Sequence, residues 1–132
     1  MIDVTFHDAA GRIAQIARLR NVDDANATAL ALGRFWVPGR ADLAADYVDV
    51  VAGTILPRPA IPSLPAAGTV PLAIDLSVYP SGSVVSVLSE AGDALTISDM
   101  GQTLNLTGPG LYTVAVDPPF PHLPVQEVIP VD

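Results

Sequence analysis

The sequence contains no cysteine and no lysine. Without cysteine, neither a disulfide framework nor a thiolate metal site is possible. No run of about 18 consecutive apolar residues occurs, so we expect no helix that crosses a membrane. The first residues also lack a basic segment followed by an apolar one, the pattern of a secretory signal peptide. We therefore expect the chain to be made in the cytoplasm of its host.

Positive charge is scarce and confined to one part of the chain. The sequence has 14 acidic residues and six arginines, which gives a formal net charge of −8. All six arginines lie within residues 1–59, whereas residues 60–132 hold seven acids and no base, a net charge of −7. This acidic balance disfavours nucleic acid and anionic membrane surfaces as partners.

Half of the residues are apolar, which is not the composition of a disordered protein.

Proline marks a boundary in the chain. Four of the 13 prolines fall within residues 57–65, a density that excludes a helix and favours an extended polyproline segment. The sequence thus predicts a small mixed α/β unit over residues 1–56, a proline-rich linker over 57–69 and a second unit over 70–132.

The first unit shows short strands and one helix. Asparagine and acidic caps at 21–24 precede an alanine-rich run at 25–32 that ends at Gly33, which predicts a helix. Residues 13–19 follow a hairpin turn, which favours a strand, although the apolar spacing at 13, 16 and 19 also fits a helix. The other predicted strands are 3–6, 35–37, 47–51 and 54–56, the last two joined by a tight turn at Ala52-Gly53.

The second unit is predicted to be entirely β. Short strands recur every 8–12 residues with turn residues between them, which is typical of a β-sandwich or a small barrel. The predicted strands are 70–78, 83–88, 94–97, 103–106, 111–116 and 126–131. Alternating apolar and polar residues, as in 70–78, indicate that each strand buries one face.

Candidates for catalysis are few. His7, near Asp3 and Asp8, is the only histidine with neighbouring carboxylates, and both His7 and His122 are better interpreted as surface residues. No nucleophile elbow, phosphate-binding loop, zinc spacing or calcium loop occurs. We therefore expect no enzymatic activity, no catalytic residue, no metal and no cofactor.

The aromatic residues suggest contacts rather than catalysis. Arg34 and Arg40 flank Phe35, Trp36 and Pro38, and this combination predicts a protein-protein interface. Trp36 is interpreted mainly as a core residue, with an exposed sugar-binding platform as the alternative. Tyr112 lies in a P-G-x-Y-x-V run that is familiar from the penultimate strand of Ig-like modules, where the ring has the structural role of fixing a corner.

Two stretches resemble segments of one group of phage proteins. Residues 47–59 resemble the Y-x-V-x-x-G-x-[IV]-x-x-R-P segment of small virion proteins encoded among the tail genes of tailed bacteriophages and prophages. Residues 108–124 are similar to the P-G-x-Y-x-[VL] … [FW]-P-[YH]-L ending of the same proteins. This chain departs from them in Ala52-Gly53, where a polar turn is commoner, and in its lack of lysine.

The resemblance implies a C-terminal Ig-like β-sandwich and a structural role in the virion, at the tail tip, baseplate or fibre. Its partners would then be other virion proteins in a symmetric oligomeric assembly. Two alternatives remain open at this point. One is a carbohydrate-binding or adhesion module that contacts a host glycan, and the other is a capsid decoration protein.

Overall fold

The structure, a computed structural model, describes all residues from 1 to 132. It is mostly β, as the sequence predicts, with 11 strands, one α-helix and one turn of 3-10 helix. The α-helix has 11 residues, too few to cross a membrane. The chain forms two compact units, Met1–Arg58 and Pro59–Asp132.

The first unit contains a three-stranded antiparallel sheet, one helix and a separate hairpin. Its elements are β1 (Ile2–His7), β2 (Ile13–Leu19), α1 (Val22–Leu32), β3 (Phe35–Pro38), β4 (Asp46–Asp49) and β5 (Thr54–Pro57). The central strand β1 pairs with β2 on one side and with β3 on the other, while β4 pairs with β5. A small core forms where Val4 and Phe6 of β1 meet Ala25 and Ala29 of α1.

The limits of α1 follow from its caps. Asn21 precedes the helix, and its side-chain oxygen accepts a hydrogen bond of 2.9 Å from the Asp24 N–H. Gly33 ends the helix in the left-handed conformation, with φ of 64°. The predicted helix is therefore confirmed, and the structure extends it at its N-terminal end to Val22.

Residues 13–19 form a strand rather than a helix, in agreement with the favoured interpretation. The strand is stabilised by pairing with β1, from Ile2 opposite Leu19 to Phe6 opposite Gln15. Gly11, in the turn between the two strands, has φ of 93°, and a Cβ atom there would collide with the Val48 carbonyl oxygen. This close approach allows the Gly11 carbonyl to accept a hydrogen bond from the Val48 N–H at 2.9 Å.

The β4–β5 hairpin has a longer turn than the two residues expected at Ala52-Gly53. The first strand ends at Asp49 instead of continuing to Val51. Its carboxylate accepts hydrogen bonds from the N–H groups of Val51 and Ala52, at 3.1 and 3.2 Å. Because the Asp49 side chain binds the following backbone, residues 50–53 form the turn.

The second unit has two antiparallel sheets. Its strands are β6 (Leu72–Asp75), β7 (Val84–Ser89), β8 (Ala94–Ile97), β9 (Thr103–Leu106), β10 (Gly110–Asp117) and β11 (Val125–Val131). One sheet has the order β11-β10-β7-β8, and the other pairs β6 with β9. Both sheets supply side chains to a single core, for example Val85 and Val114 from the first and Ile74 and Leu104 from the second.

The strand expected over residues 70–78 is wrong in its second half. Asp75 ends β6 and caps a 3-10 turn over Leu76–Val78, accepting hydrogen bonds from the hydroxyl and backbone N–H of Ser77. These two bonds favour the charged carboxylate and lower the pKa of Asp75. The turn changes the alternation, so Leu76 is buried whereas Val78 is 53% exposed.

The segment expected to be a proline-rich linker over residues 57–69 is largely part of the second unit. It has no helix or strand, but Ile61 and Leu64 are both buried in the core of that unit. The chain then pairs with the last strand through a bridge between Gly68 and Val131. The proline-rich composition explains why the backbone of this segment is extended. The apolar side chains of Ile61 and Leu64 explain why the segment packs against the core of the second unit.

We expect Leu64→Ala to destabilise the second unit by about 2–5 kcal/mol, because truncation of a buried leucine leaves a cavity. The free energy of unfolding would be measured by urea denaturation followed by far-UV circular dichroism. Ser63→Ala, at the exposed neighbouring position, is the control and should change stability little. Equal stabilities of the two variants would contradict the packing of this segment.

Candidate functional site

The predicted interface residues lie on β3 and at its two ends. Strand β3 is an edge strand of the three-stranded sheet, because only β1 pairs with it. Arg34 precedes the strand and Arg40 follows it, and both side chains are exposed. Neither arginine forms an ion pair within the chain. We call Arg34, Phe35, Trp36 and Arg40 the β3 surface.

Backbone contacts hold both arginines in place. The Arg34 N–H donates to the Ala29 carbonyl at 2.9 Å, which ties the residue to the end of α1. At the other end, the buried hydroxyl of Thr5 donates to the Gly39 carbonyl at 2.9 Å and accepts from the Ala41 N–H at 3.2 Å. Since these two bonds lie on either side of Arg40, the backbone at that position is fixed.

Trp36 has a structural role in this surface. It is half-buried and packs against the core that β1 and α1 form. Its indole N–H donates a hydrogen bond of 2.8 Å to the side-chain oxygen of Asn26 on α1. The preferred interpretation of Trp36 as a packing residue therefore agrees with its position.

Phe35, rather than Trp36, is the exposed ring. The Phe35 side chain is 57% exposed and stacks on His7, with ring centroids 5.8 Å apart. Directly opposite each other in the β1–β3 pairing, the two residues share one face of the sheet. The sequence favoured Trp36 as a core residue but gave no indication that Phe35 would be exposed.

The expectation of two surface histidines is wrong for His7. This side chain is only 5% exposed, because it lies under the Phe35 ring and within the sheet. Its Nδ1 atom lies 2.7 Å from the Asp8 carbonyl oxygen, which can only accept, so Nδ1 carries a proton. His122 is half-buried, with Nδ1 3.2 Å from the Pro119 carbonyl oxygen. No group of three or more histidine and acidic side chains is arranged to hold a metal ion.

Tyr112 forms the bond expected of a corner residue. Its hydroxyl donates to the Gly108 carbonyl at 2.7 Å, four residues upstream, across the turn that leads into β10. The ring is half-buried and packs against the core. The hydrogen bond therefore joins the turn to the penultimate strand.

A groove that sequence reasoning missed lies between β8 and β9. It has a volume of about 220 Å³, and its apolar lining includes Leu95, Leu104, Leu106 and Tyr112. Both strands are edges of their sheets, so the groove runs between two strands that each pair on one side only. The pattern of the sequence predicted both strands, but it held no sign that their edges would face one groove.

Comparisons of this chain with protein-family models, with curated proteins and with solved structures gave no match. The assignment of a function thus depends on the residues and on the geometry of the two units.

We expect Tyr112→Phe to lower the free energy of unfolding by about 1 kcal/mol, because it removes the hydroxyl that binds the Gly108 carbonyl. Tyr112→Ala should cost on the order of 3 kcal/mol, since it also removes the packed ring. Thermal and urea unfolding would measure both. Tyr79→Phe is the matched control, because the Tyr79 hydroxyl makes no hydrogen bond within the chain. Equal losses for Tyr112→Phe and Tyr79→Phe would argue against the corner role.

Proposed function

We propose that this protein is a non-enzymatic structural component of a tailed-phage virion, located at the tail tip, baseplate or fibre. The proposal starts from the resemblance of residues 47–59 and 108–124 to virion proteins encoded among tail genes. The first of these stretches covers the β4–β5 hairpin from Tyr47 onwards, and the second includes β10. Such proteins act by burying surface against their neighbours, so the exposed surfaces of this chain would carry its function.

The second unit would be the Ig-like β-sandwich of this class. Two features support that proposal. The four-stranded and two-stranded sheets bury their side chains in one core, as the two layers of a sandwich do. In addition, the hydrogen bond from Tyr112 to Gly108 has the form of a tyrosine corner at the start of the penultimate strand.

The β3 surface is the observation that carries the proposal. It combines an exposed aromatic ring, Phe35, with two exposed arginines that have no ion-pair partner in the chain. Arginine and aromatic residues are enriched at protein interfaces and supply much of their binding energy. Because backbone bonds fix both ends of this surface, docking would order few additional groups.

Charge suggests which unit contacts the particle. The first unit holds all six arginines and has a net charge of −1, whereas the second holds seven acids and no base. Like charges repel, so packing many copies of the second unit side by side would be costly. In our proposal the first unit docks onto the particle and the acidic unit projects outward.

We expect Arg34→Ala/Arg40→Ala to reduce the amount of this protein in purified particles, because it removes two exposed bidentate donors from the docking surface. Quantitative mass spectrometry of particles would measure the retained copies, with circular dichroism to show that the variant folds. Arg20→Ala is the control, since Arg20 follows β2 at the opposite edge of the sheet and pairs with Asp24.

Full retention of the double variant would overturn the docking role of the β3 surface. Absence of the wild-type protein from particles would overturn the virion assignment itself. Electron microscopy of labelled particles tests the position: label on the head would identify a capsid decoration protein instead. Binding of the isolated protein to host glycans would favour the adhesion alternative.

A further inference from the structure

The groove between β8 and β9 is bordered by two strand edges, and only one of them leaves an apolar side chain uncovered. On the β9 side, Leu104 and Leu106 are both buried. On the β8 side, Leu95 shares the core face of the sheet with Val87 opposite, yet it is 52% exposed. We propose that this groove binds an extended segment of a partner protein, which pairs with β8 as an added antiparallel strand and places a basic residue beside Asp93.

The backbone of β8 is available for such pairing. The Asp93 carbonyl accepts a hydrogen bond of 2.9 Å from the N–H of the last residue of β7, which is one rung of the ladder between these strands. In an antiparallel pair such rungs fall at every second residue, so Leu95 and Ile97 make the next ones. Ala94 and Thr96 therefore direct their N–H and C=O groups away from β7, toward an added strand.

The edge of β8 also lacks the features that usually prevent strand addition. Soluble proteins protect edge strands with lysine, proline, bulges or inward-pointing charges. The sequence of β8, Ala-Leu-Thr-Ile, contains no charged residue and no proline, and its pairing with β7 is regular. An added strand would satisfy the outward backbone groups and would cover Leu95.

Charge defines the chemistry of the partner. Asp93 lines the groove at one end of β8, and Asp99 lines a cavity of about 450 Å³ that shares Leu95 and Leu104 with the groove. The second unit contains no lysine or arginine that could neutralise either acid. A segment with a basic residue at each end is therefore complementary to this groove, whereas the acidic unit of a second copy is not.

The pleat of β8 fixes the pattern of side chains in the partner. Opposite residues of neighbouring strands share a face, so the partner residues opposite Leu95 and Ile97 point into the apolar groove, and the one opposite Asp93 points toward its carboxylate. The partner residues between them lie opposite Ala94 and Thr96 and exchange backbone hydrogen bonds with them. The partner segment thus alternates apolar and polar residues between two basic ends.

The test uses the full chain and a fluorescently labelled peptide, Arg-Thr-Val-Thr-Val-Thr-Arg with blocked ends, titrated by fluorescence anisotropy. We expect saturable binding. The same peptide N-methylated at its fourth and sixth residues keeps every side chain and charge, but it loses the two N–H groups that would donate to Thr96 and Ala94. It should bind on the order of tenfold more weakly, or worse, because two backbone hydrogen bonds are missing.

A charge exchange tests where the basic residue lies. Antiparallel pairing places the C-terminal residue of the peptide opposite Asp93, so Asp93→Arg should weaken binding on the order of tenfold. Replacing the C-terminal arginine of the peptide by glutamate should restore binding to this variant, because opposite charges then meet again. Asp117→Arg is the matched control, since it makes the same charge change on β10, outside the groove, and should change binding little.

A variant of β8 tests the backbone pairing from the side of the protein. Thr96→Pro removes an outward N–H without removing a rung to β7, so it should weaken peptide binding while circular dichroism shows that the unit stays folded. Absence of saturable binding to the wild-type protein would overturn the inference. Equal binding of the N-methylated peptide would do the same, as would failure of the charge exchange.

Sedimentation velocity of the wild-type protein identifies the competing occupant. Self-association that the peptide displaces would show that a second copy occupies the groove, which would overturn the assignment to a basic partner. The inference concerns the purified protein and does not depend on the virion assignment or on the β3 surface. Failure of one proposal is therefore distinguishable from failure of the other.

Discussion

The pairing of β10 with both β7 and β11 is the interaction on which the larger unit depends. Val114 and Val116 of β10 have no exposed surface, and they lie at the centre of its core. Because β11 is held beside β10, its last residues can bridge to Gly68. That bridge brings the proline-rich segment against the core, where Ile61 and Leu64 are buried. Long-range strand pairing thus decides where an otherwise irregular segment lies.

Charge and strand edges together shape the surfaces of the protein. A unit with seven acids and no base has few ways to bind another acidic surface. The arginines of the first unit are the only cations in the chain that can offset them. Five of the six lie at the edges of the three-stranded sheet, near β2 on one side and around β3 on the other, whereas Arg58 follows β5. We propose that the β3 edge contacts the particle.

The fold could be predicted where short-range chemistry decides it. Asn21 and Gly33 marked the ends of α1 because capping involves only neighbouring backbone groups. Turn residues on either side likewise identified β8 and β9 at their observed limits. Prediction failed at Val78, because the Asp75 side chain turned the backbone and broke the alternation. In the same way, β4 ends at Asp49 because the Asp49 carboxylate binds the next backbone N–H groups, which would otherwise pair with β5.

The candidate site was predicted only in part. The sequence identified Arg34 and Arg40 as a flanking pair, but it could not show that Phe35 is exposed while Trp36 packs inward on Asn26. Nor could it show that His7 lies buried beneath Phe35, since that depends on the register between β1 and β3. The groove between β8 and β9 depends on two sheets meeting in one core.

The sequence by itself determined the mostly β class, the single capped helix and the unequal charge of the two units, because propensity, capping and charge are properties of neighbouring residues. Only the tertiary structure decided that residues 61 and 64 join the core of the second unit, which aromatic ring of β3 is exposed, and which strands form the edges of the sheets. Those outcomes depend on contacts between residues far apart in the chain, and no local pattern encodes the register that creates them.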